Sequence, residues 1–539
     1  MLLDKIKSIA LAVGLGLVAT ILACCAGLPV VAAHHGVTVR DALLFANQQP
    51  VRYWPGDLRM AMAIAMAAGA SATVLLWRFL GSVRWTHRPR SLDSAQAAAD
   101  LRARGTPPSK PRLFAGRFGG KPLHVSIEDR GLVIGPPGTG KTAFLLNQIL
   151  QASRAELSFA AVDLKPELHK ILAPSLRAAG YRVLRVNPAR DEMDANHWNP
   201  LADVDDETDI TELCGALLPI RDPKEAPFVE AQRDWLRAAV FHTKSQPGGS
   251  LPAAFNLLSS QSDPGELLKT LERSSSATAA RLARRMAAGL AGAKPDPLIL
   301  QGLTGCLRTL DYLGLPGVQA ALGHSDFSVR ELGKSGKVAL LLQFEEAKIG
   351  ALGPLLAFAA TGLLTALIDT AGQREPVALF LDELGNIPPI PSLAEKLNTI
   401  RSRHIPLWMY FQTAEQIERL YGKGAVAVFF ASADVQMVFR LNDHGTRKLI
   451  SDLVGVTERN RYSEASSGQV TLTRERVVVV EPHELGQLGV GQVICLYRGA
   501  SAKGHATPYF VEFPVFNVNR QQEEKRPAGR KVASAKMEG

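Results

Sequence analysis

The stretch Gly131-Leu-Val-Ile-Gly-Pro-Pro-Gly-Thr-Gly-Lys-Thr-Ala-Phe-Leu-Leu-Asn-Gln-Ile-Leu150 decides the fold class. Its centre, Gly135, Pro136, Pro137, Gly138, Thr139, Gly140, Lys141 and Thr142, has the form G-x-x-x-x-G-K-[ST] of a phosphate-binding loop. An apolar run precedes the loop and a helical pattern follows it, the strand–loop–helix context that the motif requires. Glycines let the backbone wrap a phosphate with its N–H groups, and the helix N-terminus adds partial positive charge. Lys141 is placed to reach the β- and γ-phosphates, and Thr142 to hold Mg²⁺.

Binding a nucleotide is not hydrolysing it. Hydrolysis needs a carboxylate that holds the metal and a group that handles water. The run Val377-Ala-Leu-Phe-Leu-Asp382-Glu383 supplies both: an apolar strand ending in two acids. In an open α/β sheet, ligands bind at the carboxyl edge of the strands. Asp382 is expected on Mg²⁺ and Glu383 on the attacking water; a purely structural acidic pair is the rival reading. A second strand, Leu407 to Gln412, ends in a polar residue at the same edge. Gln412 there reads either as a γ-phosphate sensor or as a turn former.

Further apolar runs read as buried strands: Phe159–Asp163, Tyr181–Val186, Val338–Phe344 and Val435–Arg440. Helical patterns alternate with most of them, as in a parallel sheet covered on both faces. From about Asp205 to Ser328 the strand signal disappears and helical patterns take over, so an all-α insertion is expected there. Arg281, Arg284 and Arg285 cluster on one of its helices; they read as a solvated face or as a polyanion contact.

The chain has 539 residues, 46% hydrophobic and 21% charged, enough for several domains with a large core. The net charge of +10 suits nucleic acid or anionic lipid, and equally the basic flanks of membrane segments. The five cysteines, Cys24, Cys25, Cys214, Cys306 and Cys495, show neither metal-ligand nor C-x-x-C spacing. Ser8 to Val39 carries no Asp, Glu, Lys or Arg, and its core, Ile9 to Ala33, is long enough to span a bilayer. Met60 to Trp77 is a second, shorter uncharged run. Lys5 and Lys7 before the first, with Arg78, Arg84, Arg88 and Arg90 after the second, predict both ends on the cytoplasmic side. A cleaved signal peptide, or lipidation at Ile21-Leu-Ala-Cys24, is the alternative for the first run.

The expected layout is a membrane anchor over 1–80 with a short periplasmic loop, a linker over 81–112, and a nucleotide-binding domain in two parts, 113–204 and 329–514. The all-α insertion, 205–328, separates those parts, and a disordered basic tail, 515–539, ends the chain. Two other classes of phosphate-loop protein fit poorly. None of the 12 histidines lies in H-E-x-x-H, which excludes a zinc protease of that signature. An ABC transporter would carry L-S-G-G-Q between the two nucleotide motifs; the nearest match, Ser466-Ser-Gly-Gln469, follows the second.

Several segments go beyond these generic motifs: Asp163-Leu-Lys-Pro-Glu167, Asn199-Pro-Leu201, Leu379-Phe-Leu-Asp-Glu-Leu384, Phe411-Gln412 with Gln416-Ile-Glu-Arg-Leu-Tyr-Gly422, and Asn442-Asp443 with Leu449-Ile-Ser-Asp-Leu-Val-Gly455. With them the chain resembles the VirD4/TraG/TraD-like family of type IV secretion coupling proteins over nearly its whole length. The loop Pro-Pro-Gly-Thr-Gly-Lys-Thr departs from the Ser-Gly-Lys forms frequent in that family, but Thr142 suits Mg²⁺ equally.

The resemblance implies an α/β, RecA-like P-loop motor with a mostly parallel sheet, an inserted all-α domain and two N-terminal transmembrane helices. It implies an ATPase using ATP and Mg²⁺ at the bacterial inner membrane, assembled as a homo-hexamer. The partners implied are a relaxase–single-stranded DNA complex, secreted protein effectors, or both, together with the subunits of the secretion channel. Arg401 holds the family-like position for an arginine given to a neighbour's γ-phosphate, with Arg403 as the alternative. Two basic residues closing a helix are also what its dipole favours. An FtsK-like DNA pump would need more spans and a C-terminal DNA-reading domain, for which the stretch after Val515 has no room. A non-enzymatic scaffold is at odds with intact Lys141, Thr142, Asp382 and Glu383.

Overall fold

The computed structural model describes residues 91–513, except 165–166, 191, 193, 221, 262, 292–293 and 465–469, together with scattered residues between 29 and 71. The first expected span lies largely outside the described residues and the second does so by half, its described residues being helical, and the expected tail lies wholly outside them.

Seven parallel strands form the body of the sheet. In chain order they are β3 (Gly131–Ile134), β4 (Ser158–Asp163), β5 (Tyr181–Val186), β6 (Lys337–Gln343), β7 (Val377–Leu381), β8 (Leu407–Phe411) and β9 (Val435–Val438). Their spatial order is β9-β3-β8-β7-β4-β6-β5. Every residue of β3, β4, β7 and β8 is buried, the state that continuous apolar runs predict for strands covered on both faces. Side chains alternate between two cores: Leu132 and Ile134 face one, Val133 the other.

Four antiparallel strands extend the β9 edge: β1 (Arg112–Phe118), β2 (Lys121–Ser126), β12 (Gln492–Tyr497) and β13 (Ala500–His505), in the order β2-β1-β13-β12 beside β9. The sheet is therefore mixed, with eleven strands, and the sequence reading of a mostly parallel sheet holds: the seven central strands are parallel and the antiparallel ones are confined to one edge. The helix α1 (Ala95–Ala103), capped by Ser94, falls inside the segment expected as a linker. Its alanines pattern as a helix face, not as a tether: Ala97, Ala98 and Leu101 are buried with β1, β2 and β13 residues. A separate two-stranded sheet, β10 (Val456–Glu464) with β11 (Val470–Val478), completes the strands described.

Helix α2 (Lys141–Arg154) follows the phosphate-loop sequence, and α3 (Glu167–Ala178) joins β4 to β5. Between β5 and β6 the described residues contain helices and no strand: α4 (Glu207–Leu217), α5 (Ala226–Lys244), α6 (Leu251–Ser260), α7 (Pro264–Glu272), α8 (Ala277–Ala291), α9 (Pro297–Thr309) and α10 (Pro316–Gly323). Helices α5 and α9 approach closely because Gly302 has no side chain; a Cβ there would stand 2.8 Å from the Ala231 backbone. The buried Trp235 indole donates to the Ile299 carbonyl at 2.7 Å across the same pair.

After β6, α11 (Ile349–Asp369) is the one described helix apolar and long enough to cross a membrane. It is instead a core helix: 83% of its apolar window is buried within the fold. Helices α12 (Leu393–Ser402), α13 (Ala414–Tyr421), α14 (Ala425–Ser432) and α15 (His444–Val454) flank β8 and β9.

Candidate functional site

The loop between β3 and α2 is built by its glycines. Gly138 has φ +76° and Gly140 φ +105°, left-handed values that a side chain would strain. A Cβ on Gly138 would meet nothing within 4 Å, so its open side remains a cradle. Thr139 Oγ1 donates to the Pro136 carbonyl at 2.8 Å, closing the turn across Pro137. Gly135 is pressed against Phe439, whose Cβ would be 2.6 Å from an added methyl. Lys141 opens α2 and is buried to 4% exposure. Its Nζ donates to the Phe411 carbonyl at 3.2 Å, and the Gly135 N–H donates to the same oxygen at 3.1 Å. The end of β8 is thereby tied to both ends of the loop. Thr142 stands next to Lys141 on the first turn and is half-buried. These features, an open backbone cradle, a buried ammonium and an adjacent hydroxyl, fit a phosphate chain with its divalent cation.

The carboxylates lie on the neighbouring strand but one. β3 pairs with β8 and β8 with β7, all parallel, so Gly135, Gln412 and Asp382 all follow strand ends at one edge. Glu383 adopts φ +52°, ψ +36°, a left-handed conformation that costs a non-glycine residue on the order of 1 kcal/mol. That turn aims its carboxylate along the edge. Glu383 Oε2 accepts from Gln412 Nε2 at 2.9 Å and from Asn386 Nδ2 at 3.1 Å. The Glu383 N–H donates to Asp382 Oδ1 at 3.0 Å.

Gln412 is itself held from behind: its N–H donates to Gln416 Oε1 at 2.9 Å. Gln416 reaches it over Gly385, where a Cβ would collide with that same oxygen at 2.0 Å. The end of β8 and the acidic end of β7 thus form one hydrogen-bonded unit, Asn386–Glu383–Gln412–Gln416. Asn386 was not singled out from the sequence; its only signal was its position three residues after Glu383. Arg440 was also missed. It follows β9 beside the loop, and its Nε is buried with no hydrogen-bond partner among the described residues.

Asp163 joins this edge from β4. The β4–β7 register pairs Ala161 with Phe380, and two more steps bring Asp163 opposite Asp382. Burial pushes the Asp163 carboxyl up to about 7, and Asp382 adds to the rise against the N–H groups of His169 and Leu168, which donate to it.

Arg401 and Arg403 are not at this edge. α12 ends before β8 begins, so both arginines lie at the opposite, amino-terminal edge of the sheet from Gln412. The neighbouring His404 Nδ1 meets Glu128 Oε2 at 3.1 Å, ahead of β3 at that same edge. Both arginines are exposed. They do not reach the site of their own chain.

A cleft of about 810 Å³ opens beside the loop, lined by Gly140, Ala143, Gly491, Lys503, Thr507 and Phe510 among others. The Gly491 N–H donates to the Thr139 carbonyl at 2.9 Å, so the turn before β12 forms one wall of the loop.

Known proteins resemble this chain in sequence and in fold. Two VirD4 proteins match at 22% identity: that of Rhizobium radiobacter over 389 residues, covering 69% of this chain and 55% of the relative, and that of Agrobacterium fabrum (strain C58) over 400 residues, covering 71% and 59%. The chain thus spans a little over half the length of these relatives. In structure it resembles the bacterial conjugative coupling protein TrwBdeltaN70 in its unbound monoclinic form, with a TM-score of 0.62 at 19% identity over 78% of this chain and 92% of that one. TrwB in complex with ADP and Mg²⁺ superposes with a TM-score of 0.61 at 19% identity, over 76% and 91%. The family model for type IV secretory system conjugative DNA transfer matches residues 96–532, taking in the phosphate loop, the helical insertion and the acidic strand end, and the chain belongs to that family.

Proposed function

We propose that this chain is a Mg²⁺-dependent ATPase of the bacterial inner membrane that couples nucleotide hydrolysis to conjugative transfer. In this reading it receives a relaxase–single-stranded DNA complex, protein effectors or both, and hands them to a secretion channel. The reading rests above all on Glu383, Gln412 and Lys141 meeting at neighbouring strand ends beside an open glycine cradle. The similarity to VirD4 and TrwB supports it.

In the proposed chemistry the backbone N–H groups of Pro137-free positions 138–142 cradle the phosphates, and Lys141 turns from the Phe411 carbonyl to the β- and γ-phosphates. Thr142 and Asp382 would hold Mg²⁺, which neutralises charge developing on the phosphate oxygens. Water attacks the γ-phosphorus as the bond to the ADP oxygen breaks, and Glu383 takes the proton. Gln412 bridges the two tasks. Its amide is bonded to Glu383, so an amide drawn to a γ-phosphate releases that carboxylate for water. The cleft beside Gly140 suits the base and ribose.

Arg401, exposed at the other sheet edge, suits a neighbouring subunit's site, which requires a ring; a homo-hexamer is the assembly we propose. The uncharged runs Ile9–Ala33 and Met60–Trp77 would anchor it as two spans, with the bulk of the chain cytoplasmic.

The test is the ATPase rate of the full-length chain in detergent, with and without single-stranded DNA, across a salt series. Stimulation that fades with salt is expected, because phosphate contacts release counterions. Lys141→Ala should lose nucleotide binding, and Glu383→Gln should bind ATP without turning it over. Wild-type turnover in both variants would sink the motor reading. Basal turnover with no DNA response would transfer the cargo assignment to protein effectors.

A further inference from the structure

The inserted helices join the sheet through two crossings of the chain, and these crossings are knitted to each other. The inbound crossing runs from His197 to Asp203, and the outbound one from Leu322 to Val329. The Trp198 N–H donates to the Ala321 carbonyl at 2.8 Å, and the Asp326 N–H to the His197 carbonyl at 3.0 Å. The Asn199 N–H donates to Ser325 Oγ at 2.9 Å. Asp203 accepts from the Trp198 indole at 2.8 Å and from the Val329 N–H at 3.1 Å. Trp198 and Phe327 stack behind this seam, with centroids 6.3 Å apart.

On the outer side of the seam stand two imidazoles and a carboxylate. His197 Nδ1 lies 3.0 Å from Asp326 Oδ2, and His324 Nε2 lies 3.4 Å from Asp326 Oδ1. The two rings are stacked, 4.4 Å between centroids and 29° between planes. One ligand atom from each of the three residues falls within 4.8 Å of the others. We propose that His197, His324 and Asp326 form a binding site for a divalent cation of the zinc class, which staples the inbound and outbound crossings of the helical insertion.

Three observations fit a metal at this position. The first is spacing. Tetrahedral ligands with bonds of about 2.0–2.1 Å stand roughly 3.3 Å apart, and each imidazole already lies near that distance from one oxygen of the shared carboxylate, His197 at 3.0 Å from Oδ2 and His324 at 3.4 Å from Oδ1. The second is donor type. Two imidazoles and one carboxylate select zinc, cobalt or nickel over Mg²⁺ or Ca²⁺, which prefer all-oxygen sets. The third is support and access. His197 and Asp326 are fixed to each other by two bonds besides the imidazole contact: the Asp326 N–H donates to the His197 carbonyl at 3.0 Å, and the His197 N–H to Asp326 Oδ2 at 2.9 Å. His324, with 62% of its side chain exposed, leaves the solvent side open for a water as fourth ligand. The donors lie 127 and 129 residues from His197 (324 − 197 and 326 − 197), so a bound ion would close the whole insertion into a loop.

Full-length chain in detergent, freed of any affinity tag and stripped with chelator, is titrated with Co²⁺ and with Zn²⁺. The expected result is one equivalent of Co²⁺ with the strong visible absorption of a tetrahedral site, displaced by Zn²⁺, and a melting temperature raised by Zn²⁺. His324→Ala, at an exposed position, should leave the metal-free melting temperature unchanged and weaken binding at least about tenfold. Asp326→Asn keeps an acceptor for the His197 N–H but loses the charge, and should weaken binding likewise. Tight metal uptake that survives in both variants, or a wild type that takes up no metal, would overturn the site and leave the three residues as a latch only.

Discussion

Asp163 ends β4 with 1% of its surface exposed, yet it carries a carboxyl. Burial, with Asp382 opposite, raises it from an ordinary 3.8 to about 7. An acid whose folded value is raised contributes stability that is full below its unfolded value and is lost as pH climbs through the folded one. The nucleotide-free protein should therefore lose stability between about pH 4 and pH 7 through this group. Asp163→Asn cannot ionise and keeps an oxygen for the His169 and Leu168 N–H groups. Its melting temperature should fall less than that of the wild type over that interval, with the difference read as one curve against the other so that the histidines cancel. Parallel curves would mean that Asp163 is not the titrating group. The residue was visible in the sequence as the head of Asp163-Leu-Lys-Pro-Glu167, but its protonation was not, because that depends first on burial in the folded sheet, with a smaller contribution from Asp382 on a strand more than 200 residues away.

At the scale of elements, the parallel strands were legible and the antiparallel ones were not, for one physical reason. β4, β7 and β8 are covered on both faces, so their sequences are unbroken apolar runs between breakers. β2, Lys121-Pro-Leu-His-Val-Ser126, is exposed at its first residues, and β13, Ala500-Ser-Ala-Lys-Gly-His505, is made of small and polar residues. Their burial comes from neighbours: a Cβ on Gly504 would meet Phe118 at 2.4 Å, which says that β13 lies against that ring. α1 was hidden for the same reason, since an alanine-rich helix beside a Pro-rich segment looks like tether until β13 is there to receive it. The candidate site divides in the same way. Lys141, Asp382, Glu383 and Gln412 were readable because each ends or begins an element, whereas Asn386 became visible only through its bond to Glu383 and Arg440 only through the burial of its Nε. Close approach also yields a test of the central β3–β8 pair. A Cβ on Gly131 would stand 2.0 Å from the Trp408 ring, which is fully buried. Gly131→Ala should cost roughly 1–3 kcal/mol or more by overpacking. Trp408→Leu in the same chain should recover part of that loss, so the double variant should be more stable than the sum of the two singles predicts. Strict additivity in denaturant unfolding would place the strain elsewhere.

At the scale of the whole molecule, the position of Arg401 sets a condition on assembly. The γ-phosphate site proposed for the carboxyl edge of β3, β7 and β8 would take Lys141 and Thr142 from its own chain, but Arg401 stands at the amino edge with a strand's length between. An arginine so placed serves phosphoryl transfer only if a second copy turns that edge toward the first copy's carboxyl edge, a head-to-tail contact that closes into a ring. Such an arginine contributes orders of magnitude to turnover where it reaches the transferred phosphate. Arg401→Ala alone should therefore bind ATP normally and turn it over slowly, separating it from Lys141→Ala, which loses binding. Mixing gives the sharper reading. In rings assembled from wild-type and Arg401→Ala chains at fixed total protein, each variant subunit also disables a wild-type neighbour's transfer step whenever firing passes around the ring. Activity should then fall faster than the wild-type fraction. A strictly linear fall would mean that sites fire independently of one another, and an unchanged rate for pure Arg401→Ala would return that arginine to the ordinary role of closing α12 against its helix dipole.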